Sequence, residues 1–205
     1  MTVTYRVGTG LYVNLTNKCP CACTFCIRQN GSGVYGSDSL WLEREPTADE
    51  VFESIEANLE DVSELVFCGY GEPTERLDAL LEVARRFRAV HPEVPIRVNT
   101  NGLSDLIAGE PTAHRFEDLV DTVSISLNAP TAEEYVALCR PKFGVAAYPA
   151  LLKFAEEVKS FVKDVVLTVV GTTSLTSEKE EACRRVAAEH GVPLRVRTFT
   201  GPKEK

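Results

Sequence analysis

Cys19-Pro-Cys-Ala-Cys-Thr-Phe-Cys26 gathers four of the chain's seven cysteines directly after the apolar stretch 11–15. The other three, Cys68, Cys139 and Cys183, are scattered. An odd cysteine count, behind a polar opening with no export signal, predicts reduced thiols in a cytoplasmic protein rather than a disulfide framework. A knot of thiols this tight points to metal, and thiolates select zinc or iron–sulfur clusters. A structural zinc site closes a tetrahedron, usually with two ligand pairs from separate turns. No second Cys-x2-Cys occurs, and His91, His114 and His190 each lack a partner at ligand spacing and read as surface residues. Four ligands drawn from 19–26 alone would be cramped. The spacing Cys19-x3-Cys23-x2-Cys26 instead supplies three thiolates and leaves Cys21 aside. A four-iron cluster normally takes four cysteines, so three leave one iron open, as a catalytic zinc keeps one position for substrate.

Outward from this loop the chain alternates strand-like and helix-like segments. The strands are expected at 11–15, 64–68, 96–100, 122–127, 165–170 and 194–199, each short and apolar or β-branched, as buried parallel strands are. Thr47-Ala-Asp-Glu50 is a capping box ahead of Val51, Phe52, Ile55 and Leu59 at helical spacing. Leu77, Leu80, Leu81, Ala84 and Phe87 form a second stripe, and Leu151, Phe154, Ala155, Val158 and Phe161 another. Ser177-Glu-Lys-Glu180 is expected to cap a last helix that stops at Gly191. About six β/α units imply a parallel sheet. Right-handed crossovers curl such a sheet into an α/β partial (β/α)6 TIM-like barrel. The 205 residues fall short of the roughly 250 of a complete eight-unit barrel. With no linker and no low-complexity stretch, the expectation is a single domain over 1–205, a minimal core that is open on one side.

Composition narrows the partners. The chain is 44% hydrophobic and 25% charged, enough to bury a sizeable core. A net charge of −8 argues against direct nucleic-acid binding, which needs clustered Lys and Arg. No stretch approaches a transmembrane span, so no membrane partner is expected.

In α/β folds of this kind, chemistry sits at the carboxyl ends of the strands. There the chain places the cysteine run, Gly69-Tyr-Gly-Glu-Pro73, Asn99-Thr-Asn-Gly102, the pair Ser126 and Asn128, and Gly171-Thr-Thr173. Arg140-Pro-Lys142 follows the fourth unit's helix, and a guanidinium suits a carboxylate or phosphate. The segment 28–41 is longer than a βα loop needs, and Gly31-Ser-Gly-Val-Tyr-Gly-Ser37 makes it a flexible lid or a hairpin ornament.

The run Cys19-x3-Cys23-x-Phe25-Cys26 resembles the cluster motif of the radical S-adenosylmethionine (radical SAM) superfamily, and the six units match that family's partial barrel across essentially the whole chain. Tyr12-Val-Asn-Leu-Thr-Asn-Lys-Cys19, Cys26-Ile-Arg28, Leu40-Trp-Leu-Glu43 and Phe67-Cys-Gly-Tyr-Gly-Glu-Pro-Thr74 are similar to the TatD-associated subgroup and to queuine lyases. The resemblance implies a [4Fe–4S] cluster on Cys19, Cys23 and Cys26, with S-adenosylmethionine chelating the open iron. One electron then cleaves the cofactor to methionine and a 5′-deoxyadenosyl radical that removes hydrogen from substrate. It further implies that Gly71 and Glu72 hold the methionine amine, although Tyr70 stands where the family often has Gly. Ser126, Asn128, Asn99 and Asn101 would bond the ribose or carboxylate, Phe25, Val170 and Thr198 would wall the adenine, and Arg140 would hold a carboxylate or phosphate. Arg28, Tyr35, Trp41 and Tyr70 are the expected substrate contacts.

The implied substrate is a small molecule, a queuosine-type 7-deazapurine nucleoside cleaved in a lyase-type reaction. A one-electron donor such as flavodoxin or ferredoxin is implied too, and either the loop 28–41 or a second copy in a homodimer would cover the open side. Two alternatives stand beside it: a glycyl-radical-type activase acting on a partner protein, and a non-catalytic zinc- or iron-binding module.

Overall fold

Each apolar run expected as a strand pairs in parallel with the next one along the chain. The computed structural model describes residues 1–30, 36–172 and 175–199. Its strands are β1 (Thr4–Val7), β2 (Gly10–Val13), β3 (Glu64–Phe67), β4 (Ile96–Thr100), β5 (Thr122–Ser126), β6 (Asp164–Gly171) and β7 (Leu194–Thr198). They lie in one sheet in chain order, β1 antiparallel to β2 and every later pair parallel. Sequential order with helical crossovers keeps the helices on one face and curls the sheet about the other. The fold is therefore α/β, a curled seven-strand half-barrel that matches a partial TIM barrel.

The helices are α1 (Ala48–Glu56), α2 (Leu77–Val90), α3 (Ser104–Ala108), α4 (Ala132–Cys139), α5 (Ala147–Val158) and α6 (Ser177–Glu189). The capping box of α1 forms as expected: Glu50 N donates to Thr47 Oγ1 at 3.2 Å and Thr47 N to Glu50 Oε2 at 2.8 Å. Leu80, Leu81, Ala84 and Phe87 of α2, and Leu151, Phe154, Ala155 and Val158 of α5, are buried in one core with Val98, Val123, Ile125, Leu167 and Val169 of the strands. That core fixes where each strand ends, and so where its terminal polar residues point.

Two elements differ from expectation. β1 makes a seventh strand, joined to β2 through Gly8-Thr9, with Val7 opposite Gly10. Gly8 has φ +59°, the first-position glycine of a tight hairpin. Its Thr-Tyr-Arg-Val alternation is a valid but very short strand signal. The cap of α6 is Thr176, whose side chain accepts from Lys179 N at 3.3 Å, and Ser177 is already helical. Both residues are good N-caps, and the chain uses the earlier one. Gly191 closes that helix with φ +61°, as read from sequence.

Along the strands, alternate residues face the concave interior of the half-barrel. Register aligns Asn99 with Ser124, Ser126 with Thr168, and Val170 with Arg197. One glycine holds the rim of β4 against α5. Gly102 has φ +75°, and a Cβ there would lie 2.8 Å from Ile125 Cγ2 and 3.1 Å from Leu151 Cβ. Backbone strain and overpacking then add. Gly102→Ala is expected to cost about 2–5 kcal/mol in urea denaturation, and an unchanged midpoint would show that the turn has room to spare.

Candidate active site

A cavity of about 630 Å³ opens at the carboxyl ends of the strands, within the roughly 300–1,000 Å³ of small-molecule sites. The cysteine loop forms one wall: Cys19, Cys21, Cys23, Phe25 and Cys26 all line it. Neighbouring backbone braces this loop. Ala22 N donates to Cys139 O at 3.0 Å, Thr24 N to Leu138 O at 2.9 Å, and Lys142 N to Pro20 O at 2.8 Å. Arg28 clamps it from beneath, donating from Nε to Cys26 Sγ at 3.4 Å, from Nη1 to Asn17 O at 3.3 Å and from Nη2 to Cys21 O at 3.3 Å. A hydrogen bond to Cys21 and burial push the Cys19 thiol up. A hydrogen bond to Cys139 does the same for Cys23, with burial adding to it. Cys21 is buried in this sulfur patch, whereas Cys19, Cys23 and Cys26 are only partly buried, so position as well as sequence spacing sets it apart from the other three.

The opposite wall is the turn after β3. Glu72 is buried, and its Oε1 accepts from Thr74 N, Thr74 Oγ1 and Thr100 Oγ1 at 3.2, 2.8 and 2.7 Å. Its Oε2 accepts from Asn101 N at 2.7 Å and, among the described residues, from no other. Burial pushes this carboxyl up, and the hydrogen bonds from Thr100, Asn101 and Thr74 oppose the shift. The expectation that its glycines let backbone approach a ligand takes a different form. A Cβ on Gly69 would lie 2.2 Å from Asn14 Oδ1, and one on Gly71 would lie 2.2 Å from Thr16 O and 2.7 Å from Lys18 O. Both glycines make room for the segment that leads into the cysteines. Glu72 N then donates to Lys18 O at 2.8 Å.

The structure brings Tyr70, Gly71, Glu72, Asn99 and Asn101 to this cavity, along with Ser126, Asn128, Val170 and Thr198. Asn128 sits at φ +60°, and its Nδ2 donates to Cys139 Sγ at 3.6 Å. Its Oδ1 is buried with no partner. Three expected contacts lie elsewhere. Arg140 is an exposed left-handed cap of α4 at φ 45°, because the helix ends there and turns its side chain outward. Arg28 is committed to the cysteine loop, as described. Trp41 is 45% exposed and packs edge-on against Tyr70 at 5.1 Å, so it backs the cavity wall from outside. Tyr35 lies outside the described residues.

Sequence reasoning missed the floor. Tyr12, Cys68, Arg97, Arg195 and Arg197 all line the same cavity. Arg97 pairs with Glu64, Nη2 to Oε2 at 2.7 Å and Nε to Oε1 at 2.9 Å, and also reaches Tyr12 Oη at 3.3 Å. Burial pulls Arg97 down, but the Glu64 carboxylate outweighs it and holds the guanidinium above its ordinary value. Burial and the positive charges of Arg97 and Arg197 pull Arg195 down. A readable signal existed: Ile-Arg-Val-Asn-Thr and Leu-Arg-Val-Arg-Thr put polar side chains, three of them cations, at alternate positions, where an ordinary parallel strand is apolar on both faces.

Residues 13–187 match the family profile described as the Radical SAM superfamily. The chain belongs to that superfamily. Its cofactors are a [4Fe–4S] cluster and S-adenosylmethionine. The walls suit both, with an all-sulfur donor loop on one side and, on the other, the partnerless oxygen of Asn128 for a hydroxyl donor. A "GTP 3',8-cyclase" of Paenarthrobacter nicotinovorans is 29% identical over 142 residues, 67% of this chain and 37% of that protein. A "Tungsten-containing aldehyde ferredoxin oxidoreductase cofactor-modifying protein" of Pyrococcus furiosus is 29% identical over 184 residues, 85% of this chain and 47% of that protein. Streptococcus suis SuiB bound to S-adenosylmethionine shares the fold at TM-score 0.64 and 14% identity, over 94% of this chain and 40% of that one. The chain spans 37% and 47% of the two curated relatives. These relatives are cyclase-like and cofactor-modifying and do not carry the narrower TatD-associated resemblance. Among the described residues, no helix is long and apolar enough to cross a membrane.

The close approach at Gly71 yields a direct test. Gly71→Ala must push the turn away from Thr16 and Lys18. A displacement of about 1 Å at a positioned site is expected to lower S-adenosylmethionine affinity by ~100-fold, read by calorimetry on anaerobically reconstituted protein. Unchanged affinity would mean that the two walls move independently.

Proposed function

We propose that residues 1–205 form a single radical SAM core that acts on a small molecule of the purine nucleoside or nucleotide class. One observation carries the reading: the cysteine loop and the Glu72 turn face each other across one cavity whose floor is polar. The curated relatives support the class, and the motif resemblance suggests its finer form. The relatives are named for a reaction of GTP, and the sequence motifs are similar to those of queuine lyases, whose substrate is a 7-deazapurine nucleoside. Within that class we take a queuosine-type nucleoside, cleaved in a lyase-type reaction, as the finer reading.

The residues take the following roles. Cys19, Cys23 and Cys26 hold the cluster, with the Arg28 N–H directed at the sulfur of Cys26. Glu72 Oε2 keeps an acceptor position for the cofactor amine beside the Asn101 N–H. Asn128 Oδ1 and Ser126 face the ribose hydroxyls, and Phe25, Val170 and Thr198 flank the adenine. Gly71 sets the spacing of the two walls. Asn99 and Asn101 shape the rim between them, and Tyr70 with Leu40 excludes water from one side. When bound, the cluster and S-adenosylmethionine supply a one-electron cleavage whose product abstracts hydrogen from the substrate. A flavodoxin- or ferredoxin-type donor, a cytoplasmic location and a second copy covering the open side complete the reading.

Anaerobically purified protein is expected to carry about four irons and four sulfides per chain. Cys19→Ala, Cys23→Ala and Cys26→Ala should each lose them, and Cys21→Ala should not. Reduced enzyme given queuosine or GTP in parallel should form 5′-deoxyadenosine above the substrate-free background with one of them. Stoichiometric zinc without sulfide would overturn the proposal in favour of a metal-binding module. 5′-Deoxyadenosine formed only with a glycyl-radical partner protein would move it to an activase.

A further inference from the structure

The floor of the cavity carries more positive charge than its carboxylates answer. Arg97, Arg195 and Arg197 all line it. Arg97 is satisfied by Glu64, Tyr12 and Asn99. Arg195 donates from Nη2 to the neutral Ser124 Oγ at 3.0 Å. Arg197 has a buried Nε with no partner, and no carboxylate among the described residues pairs with its guanidinium. A buried charge-bearing donor left unanswered is costly unless a ligand completes it. Register places Arg195 opposite Thr168 and Arg197 opposite Val170, so both side chains rise from the interior face of β7 two residues apart. Arg197 also acts across the barrel, where burial pushes the Cys68 thiol up and Arg197 and Arg97 pull it back.

We propose that Arg197, with Arg195 beside it, is the oxyanion subsite for the substrate, taking a carboxylate or phosphate group at the base of the cavity. This rests on the reading of the site as a radical SAM centre and deepens it: the substrate hangs from β7 by its anionic end and presents its remainder upward to the rim. A planar fork is the group of choice for such oxyanions, and burial strengthens the charge-assisted bonds it makes. The net charge of −8 does not oppose this, because the cations are gathered at one concave spot.

The test titrates inorganic phosphate, and separately acetate, into anaerobically reconstituted wild-type protein and the variants Arg197→Gln, Arg197→Lys and Arg85→Gln. Iron and S-adenosylmethionine affinity are measured on the same samples, and circular dichroism verifies folding. Wild type should bind one oxyanion per chain, and the tighter of the two probes names the headgroup. Arg197→Gln should weaken it by about tenfold or more. Arg197→Lys should fall between, since it keeps the charge without the fork. Arg85→Gln, which removes an exposed charge on α2, should match wild type. Equal affinity in Arg197→Gln and wild type would overturn the subsite, as would no binding to wild type. Weaker S-adenosylmethionine binding in Arg197→Gln with phosphate affinity intact would assign the guanidinium to the cofactor and also overturn it. Protein that binds phosphate through Arg197 yet holds no iron would keep the subsite while overturning the radical reading.

Discussion

The contact between two backbones, at Gly71 and at Thr16–Lys18, is the constraint on which the site depends. The cysteine loop has no regular structure of its own at its centre, so its position is borrowed from what it rests on. It rests on a turn with no side chain at the point of closest approach, because a Cβ there would come within 2.2 Å of a carbonyl oxygen. The buried Glu72 carboxylate then locks that turn to the end of β4 through Thr100 and Asn101. Cluster loop, glycine turn and third rim segment are thus one rigid assembly. It is held by a few short hydrogen bonds to a carboxylate that is itself largely buried.

The fold was legible to the extent that it follows periodicity. All six parallel strands and the capping box at Thr47 stand where alternation and capping chemistry place them. The seventh strand escaped because Thr4–Val7 is four residues long and half polar. It needs its partner β2 to be a strand at all. The cap at Thr176 was missed by one residue because two adjacent hydroxyl residues compete and only backbone geometry decides between them.

The site was legible along the rim and dark at the floor. Rim residues announce themselves as short motifs after strands, and Glu72, Asn101 and Asn128 all came to the cavity. Arg140 did not, since a cation after a helix reads the same whether it turns in or out. Arg97, Arg195 and Arg197 were overlooked although their alternation in the strands was readable: each strand reads as an ordinary buried parallel strand, and a mean charge of −8 masks a local excess of cations. What a strand buries on its concave side is set by the curl of the whole sheet, a tertiary fact.

β7 also stands at the margin of the sheet, with no neighbour beyond it among the described residues. A bare strand margin is a template for pairing with a foreign strand, and inward-pointing charges are one way that natural sheets blunt it. Arg195 and Arg197 are such charges. Under the proposed oxyanion subsite, colloidal stability and ligand selectivity would share the same two side chains, so a drift in what this chain accepts would also be a drift in its tendency to aggregate.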